Sequence, residues 1–183
     1  MSEASSEARR RSVGFLLRFV ALLVVFYFIV ASRPVNDKVI VPFTAGIASV
    51  SGRLLNVLGE KAEVSGTEIR SSSFGVNIEN GCNGVETGLL FGAAVLAFPA
   101  RWSRRLIGLI VGFLAIQILN LVRVITLFWI GLHRPALFSS SHTVIWQSVV
   151  VLFGVLLFLL WASRERRLSE APSTTVGDRP RKG

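Results

Sequence analysis

Reactive side chains are scarce in this chain of 183 residues. There is one cysteine, Cys82, so no internal disulfide can form. There are two histidines, His133 and His142. No Cys/His cluster has metal-ligand spacing, and there is no glycine-rich phosphate loop. These absences argue against a zinc enzyme or a nucleotide-dependent one, and the sequence calls for no cofactor and no metal. Acids are also few: eleven Asp and Glu against twenty Lys and Arg, a net charge of +9. That excess suits either nucleic acid or an anionic membrane. The basic residues sit just outside apolar runs, which is the pattern of membrane topology, so nucleic acid is not an expected partner.

Apolar residues are abundant. They make up 51% of the chain, and mean hydropathy is +0.59, too high for an ordinary soluble domain. The length fits one compact unit. About 20 apolar residues in a helix cross the hydrocarbon core. Four runs qualify: Val13 to Ala31, Val85 to Ala100, Leu106 to Leu132 and Thr143 to Ala162. Arg18 interrupts the first, the second is short and contains glycine, and the fourth carries no charge. The first run is read as a retained span rather than a signal peptide. It exceeds the usual apolar core of ~7–15 residues, and its exit sequence ASRP is a poor cleavage site.

Arginine clusters flank these runs: Arg9 to Arg11, then Arg101, Arg104 and Arg105, then Arg164, Arg166 and Arg167. Four spans put all three clusters on one side, expected to be the cytoplasm. Val39 to Leu58 is moderately apolar but interrupted by Pro42, Gly46, Gly52 and Arg53, and reads as an amphipathic helix on the outer interface. Glu60 to Asn80 is polar and extended, with turn signals at SSS and ENG, as in a short hairpin capping the bundle. The expected fold is therefore an all-α integral membrane protein. It has about four transmembrane helices, an outer interfacial amphipathic helix and a short extended segment. Residues 1–12 form a basic cytoplasmic N-terminus, residues 13–162 the embedded bundle with outer segment 32–84, and residues 163–183 a disordered cytoplasmic tail. The expected location is the cell's inner membrane, with several passes and both termini inside.

This topology brings three unusual residues to one depth. Cys82 lies just before the second span and His142 just before the fourth, both at outer ends. Arg123, in QILNLVRVITLFWI, is about 26 Å along a third span that starts at Leu106, in a core about 30 Å thick. A buried arginine is unfavourable by about 2.5–3.5 kcal/mol at the centre of a membrane, so it implies a partner or a task. Asn120, one turn below, is placed to hold the guanidinium and counts with Arg123 as one site element. Gln117 and Thr126 continue that spacing but drift off its face.

Thiol, imidazole and guanidinium together suit acyl transfer. An imidazole activates the thiol and then protonates the leaving amine. Arginine stays protonated, so it can stabilise an oxyanion but cannot act as a base. Backbone N–H groups around Asn83, Gly84 and Glu86 are expected to be unpaired at the opening of the second span and to favour a thiolate. Glu86 either orients a site group or faces water. Each residue also has an ordinary reading: an inert cysteine, an interfacial histidine, a snorkelling arginine. His133, beside Arg134 and Pro135, reads as solvent-exposed.

ENGCNGVETGLLFGAAVLAFPARW, then NLVR in the next span, then SSSHTVIW opening the last, closely resemble the exosortase/archaeosortase family, most like the small exosortase H type. The resemblance covers roughly Val39 to Trp161. It implies an integral membrane cysteine transpeptidase whose partners are membrane-anchored substrate proteins. Those substrates end in a short motif, a transmembrane helix and a basic cluster. Under this resemblance Cys82 is the nucleophile at the outer face. Arg123, in an N-x-x-R pattern with Asn120, binds the oxyanion, and His142 is the general acid/base. Many relatives have about twice as many spans, so this chain corresponds to a minimal core. The substrate motif and the acceptor, water or amine, stay open. The competing reading is a non-enzymatic membrane assembly factor or transport-complex subunit, in which Arg123 pairs with an acid on a partner helix and Cys82 is dispensable.

Overall fold

Proline and glycine set the breaks between the helices of this all-α membrane protein. A computed structural model describes residues 3–170. The first helix, α1 (Glu3–Ala31), runs unbroken until Ser32, whose hydroxyl donates to the Ile29 carbonyl at 2.6 Å. Pro34 restarts the helix as α2 (Arg33–Val35), which passes through a π-helical turn (Asn36–Ile40) into α3 (Val41–Val57). Gly59, at φ 94°, ends α3. Its own N–H reaches the Asn56 carbonyl and the Glu60 N–H reaches that of Leu55, the paired bonds of a Schellman cap.

Three short antiparallel strands follow in the order β1 (Glu63–Ser65), β2 (Glu68–Arg70), β3 (Gly75–Asn77). Gly66, at φ 59°, opens the two-residue turn between β1 and β2. The SSS turn joins β2 to β3, with the Ser71 N–H on the Phe74 carbonyl at 2.7 Å. The extended segment is therefore a three-stranded meander rather than one hairpin. Then come α4 (Val85–Ala97), α5 (Trp102–His133), α6 (Pro135–Ser140), a second π-helical stretch (Ser141–Trp146) and α7 (Gln147–Glu170). The helix α7 continues past residue 162, so residues 163–170 are helical and not part of a disordered tail. Residues 171–183 lie outside the described residues. At the other end α1 already covers Glu3–Arg11, so most of the basic N-terminal segment is helical too.

Side-chain contacts give the register of the bundle. Along α4 and α5, Gly88 faces the Phe113 ring and Gly92 faces Leu109, so the two helices are antiparallel. Along α5 and α7, Arg123 meets Gln147 and Arg104 meets Glu165, so they too are antiparallel. The Phe15 ring of α1 stacks on Phe158 of α7 at 6.0 Å, while Tyr27 and Ala31 share a cavity wall with Val85 and Leu89. Arg9 to Arg11, Arg101 to Arg105 and Arg164 to Arg167 therefore sit at one end of the bundle, and Cys82 sits at the other.

Small residues make α4 the central helix: seven of its residues, from Thr87 to Ala97, are buried. The Phe91 ring occupies the space a side chain at Gly112 would need. Phe91, Val95 and Ile116 form the inner core, with Leu157, Phe158 and Trp161 against it. A second core at the Cys82 end joins Ile47, Leu55, Ile69, Ile78 and Phe128, binding the sheet to α3 and α5. Apolar side chains such as Leu17, Phe28, Ile118 and Leu160 are exposed around the outside, as lipid contact requires.

Four helical stretches are long and apolar enough to cross a membrane: Arg9–Ala31, Arg33–Val57, Trp102–His133 and Pro135–Ser169. This is a multi-pass membrane protein. The set differs from the sequence reading in one member, because Val85–Ala97 is shorter and Arg33–Val57 takes its place. The contacts of α3 run along α5 from Phe113 to Trp129. Phe43 touches Phe113, and Leu55 shares a cavity wall with Ile125 and Trp129. The helix begins where α1 ends, runs in the same direction as α5 and carries the sheet at its far end.

Candidate active site

Two glycines shape the loop that presents the cysteine. Gly81, at φ 90°, and Gly84, at φ 74°, flank Cys82 and Asn83 in the left-handed region. Asn83 is buried and ties the loop down. Its amide donates to the Thr44 hydroxyl at 3.0 Å and to Asn80 Oδ1 at 3.4 Å. Its Oδ1 accepts the Val85 N–H at 3.0 Å, closing a turn onto the first residue of α4. Gly84 lies against α5 so closely that an added Cβ would be 2.9 Å from Gln117 Nε2 and 3.2 Å from Asn120.

Cys82 Sγ lies 2.8 Å from His142 Nε2. Arg123 Nη2 donates to the same sulfur at 3.5 Å and to Gln147 Oε1 at 3.4 Å, and Nη1 donates to the Gly81 carbonyl at 3.3 Å. The guanidinium, 2% exposed, thus crosslinks the cysteine loop, α5 and α7. The His142 ring stacks on Phe138 at 5.8 Å, with only 7° between planes. Phe138 packs edge-on against Phe74 at 5.4 Å, and Phe74 against Phe128 at 5.6 Å. An aromatic chain therefore runs from the sheet to the imidazole and fixes its plane.

Two local expectations need correction. Asn120 does not hold Arg123. Its amide is fully buried against Gly84 and makes no hydrogen bond among the described residues, and Arg123 Nε also lacks a partner there. Gly81 and Gln147 hold the guanidinium instead, because the side chain points along α5 toward α7 rather than back down its own helix. The thiol is also not tuned toward a thiolate. Burial pushes the Cys82 pKa up, Arg123 pulls it down, and Glu79 and Glu86 push it up. The Val85 N–H, which was to favour the anion, is taken by Asn83. A protonated Sγ donating to Nε2 while accepting from Nη2 satisfies both contacts.

Glu86 is half-buried, with its carboxylate behind Gly81. It lines a cavity of ≈ 170 Å³ with Tyr27, Asn80 and Asn83, on the wall away from α7. His133 is outside the site. It closes α5, exposed, stacked on Trp129 at 4.5 Å. Among the described residues no three His, Cys, Asp or Glu side chains cluster as metal ligands do. The sequence reading missed Gln147, Gly81, Thr44, Glu79 and Phe138. Gln147 had a signal, being an amide within the apolar TVIWQSVVV run.

A family model described as transmembrane exosortase matches residues 10–163. The chain belongs to the transmembrane exosortase family. No curated protein and no solved structure matches it. The family match runs from Arg10 in α1 to Ser163 in α7 and includes Cys82, Arg123 and His142.

Proposed function

We propose that this exosortase is a membrane cysteine protease or transpeptidase that cleaves C-terminal sorting signals of exported proteins at the outer face of the inner membrane. The single observation carrying this reading is the meeting of Sγ, Nε2 and Nη2 from three separate elements within 3.5 Å of the sulfur. The basic clusters at the opposite end support an orientation with both termini in the cytoplasm.

Cys82 Sγ attacks the scissile carbonyl as its proton passes to His142 Nε2. The carbonyl oxygen gains negative charge, and Arg123 donates to it in a buried site where such a bond is strong. The C–N bond then breaks, His142 returns the proton to the departing amine, and a thioacyl enzyme remains. Water or an amine gives its proton to His142 and attacks the thioester, and Cys82 leaves as the thiol. A substrate helix lying against the bundle brings its outer end level with Cys82.

The test is cleavage of a tagged substrate in cells. Cys82→Ala abolishes processing while the protein still inserts. Normal processing by that variant would rule out nucleophilic catalysis and favour an assembly role.

A further inference from the structure

A groove at the arginine-rich end, away from Cys82, has no part in this chemistry. It runs between α5 and α7, with a volume of ≈ 450 Å³. Ile107, Val111, Leu157 and Leu160 line its length, and its floor is formed by Phe91, packed on Gly112, and Trp161, packed on Gly108. From Arg104 to Gly112 it extends about 12 Å along the helix axis, room for much of an acyl chain. Its polar residues are gathered at one end: Arg104, Arg164 and Glu165. Glu165 is buried and engages one nitrogen of Arg104 at 3.2 Å, leaving other guanidinium N–H groups to donate. Arg164 is exposed and has no acid paired with it among the described residues.

We infer that this groove binds an anionic phospholipid, with an acyl chain between α5 and α7 and the phosphate on Arg104 and Arg164. Charge decides the occupant. A transmembrane segment ending in basic residues would bring cations to a rim that already carries a net positive charge, whereas a phosphodiester complements it. The apolar length of the groove selects a lipid over free phosphate. The bound lipid lies in the seam between α5 and α7, the same two helices that carry Arg123 and Gln147 nearer the other end.

Fluorescence tests this. The probe is phosphatidylglycerol or phosphatidylcholine with brominated acyl chains. The protein is the full chain with Trp102, Trp129 and Trp146 replaced by Phe, so that only Trp161 at the groove reports. Brominated phosphatidylglycerol should quench Trp161 at a several-fold lower mole fraction than phosphatidylcholine. Arg164→Gln should weaken that preference roughly fivefold, as expected for one arginine. Val111→Phe, which fills the groove, should weaken quenching by phosphatidylglycerol alone, and inorganic phosphate should not compete. Native mass spectrometry of the unaltered chain should show retained phosphatidylglycerol that Arg164→Gln loses. Equal quenching by both lipids, or retention unaffected by Arg164→Gln, overturns the assignment. So does protection of Trp161 by a transmembrane peptide with a C-terminal arginine cluster, which would make the groove a substrate seat.

Discussion

Burial pushes the Cys82 pKa up, Glu79 and Glu86 add to the shift, and only Arg123 opposes them. A raised pKa favours the thiol over the thiolate. Alkylation of Cys82 should therefore rise with pH along a curve displaced upward from that of a free thiol. Replacing Glu79 or Glu86 by Gln should move the curve down, and Arg123→Gln should move it up. A curve already saturated at neutral pH would mean a preformed thiolate and a different division of labour with His142. Activity in this arrangement relies on proton transfer over the 2.8 Å contact, so His142→Ala should lower the cleavage rate by about 10²- to 10⁴-fold with protein level unchanged. Arg123→Lys keeps charge but loses the fork that reaches Gly81, Cys82 and Gln147 together. It should lower the rate by about 10²- to 10³-fold.

At the scale of elements, the cysteine loop is fixed by how α4 meets α5. Gly84 combines a positive φ with a close approach to Gln117 and Asn120. Gly84→Ala should therefore destabilise the protein by about 1–2 kcal/mol, from the left-handed backbone alone, and more from the contact. A thermal-unfolding midpoint unchanged from wild type would show that the loop is looser than its packing indicates. The π-helical turn before α7 carries His142, and the aromatic chain from Phe74 through Phe138 sets its plane. Phe138→Ala should lower activity while leaving Cys82 alkylation nearly intact, because only the imidazole loses its support. The apolar periods and glycine–proline breaks made these helices readable in advance. The π turns were not readable, since no local residue preference distinguishes them from α-helix.

At the scale of the whole molecule, the basic clusters and the site occupy opposite ends of the bundle. An impermeant thiol reagent added outside intact cells should label Cys82, the chain's one thiol. In a Cys82→Ala background, Ser163→Cys should label only after the cytoplasmic face is opened. The reverse pattern would invert the orientation.

The sequence by itself determined the membrane class, the grouping of the arginines at one end of the bundle and the nearness of Cys82, Arg123 and His142 to the other. These depend on run lengths and on the position of each residue along its helix, both of which are linear quantities. It did not determine rotation about the helix axes. Depth alone leaves a guanidinium free to face Asn120, lipid or a neighbouring helix. In the assembled bundle Arg123 faces Gln147 and Gly81, and burial raises the Cys82 pKa. Those outcomes depend on which helix faces which, and only the assembled bundle decided that.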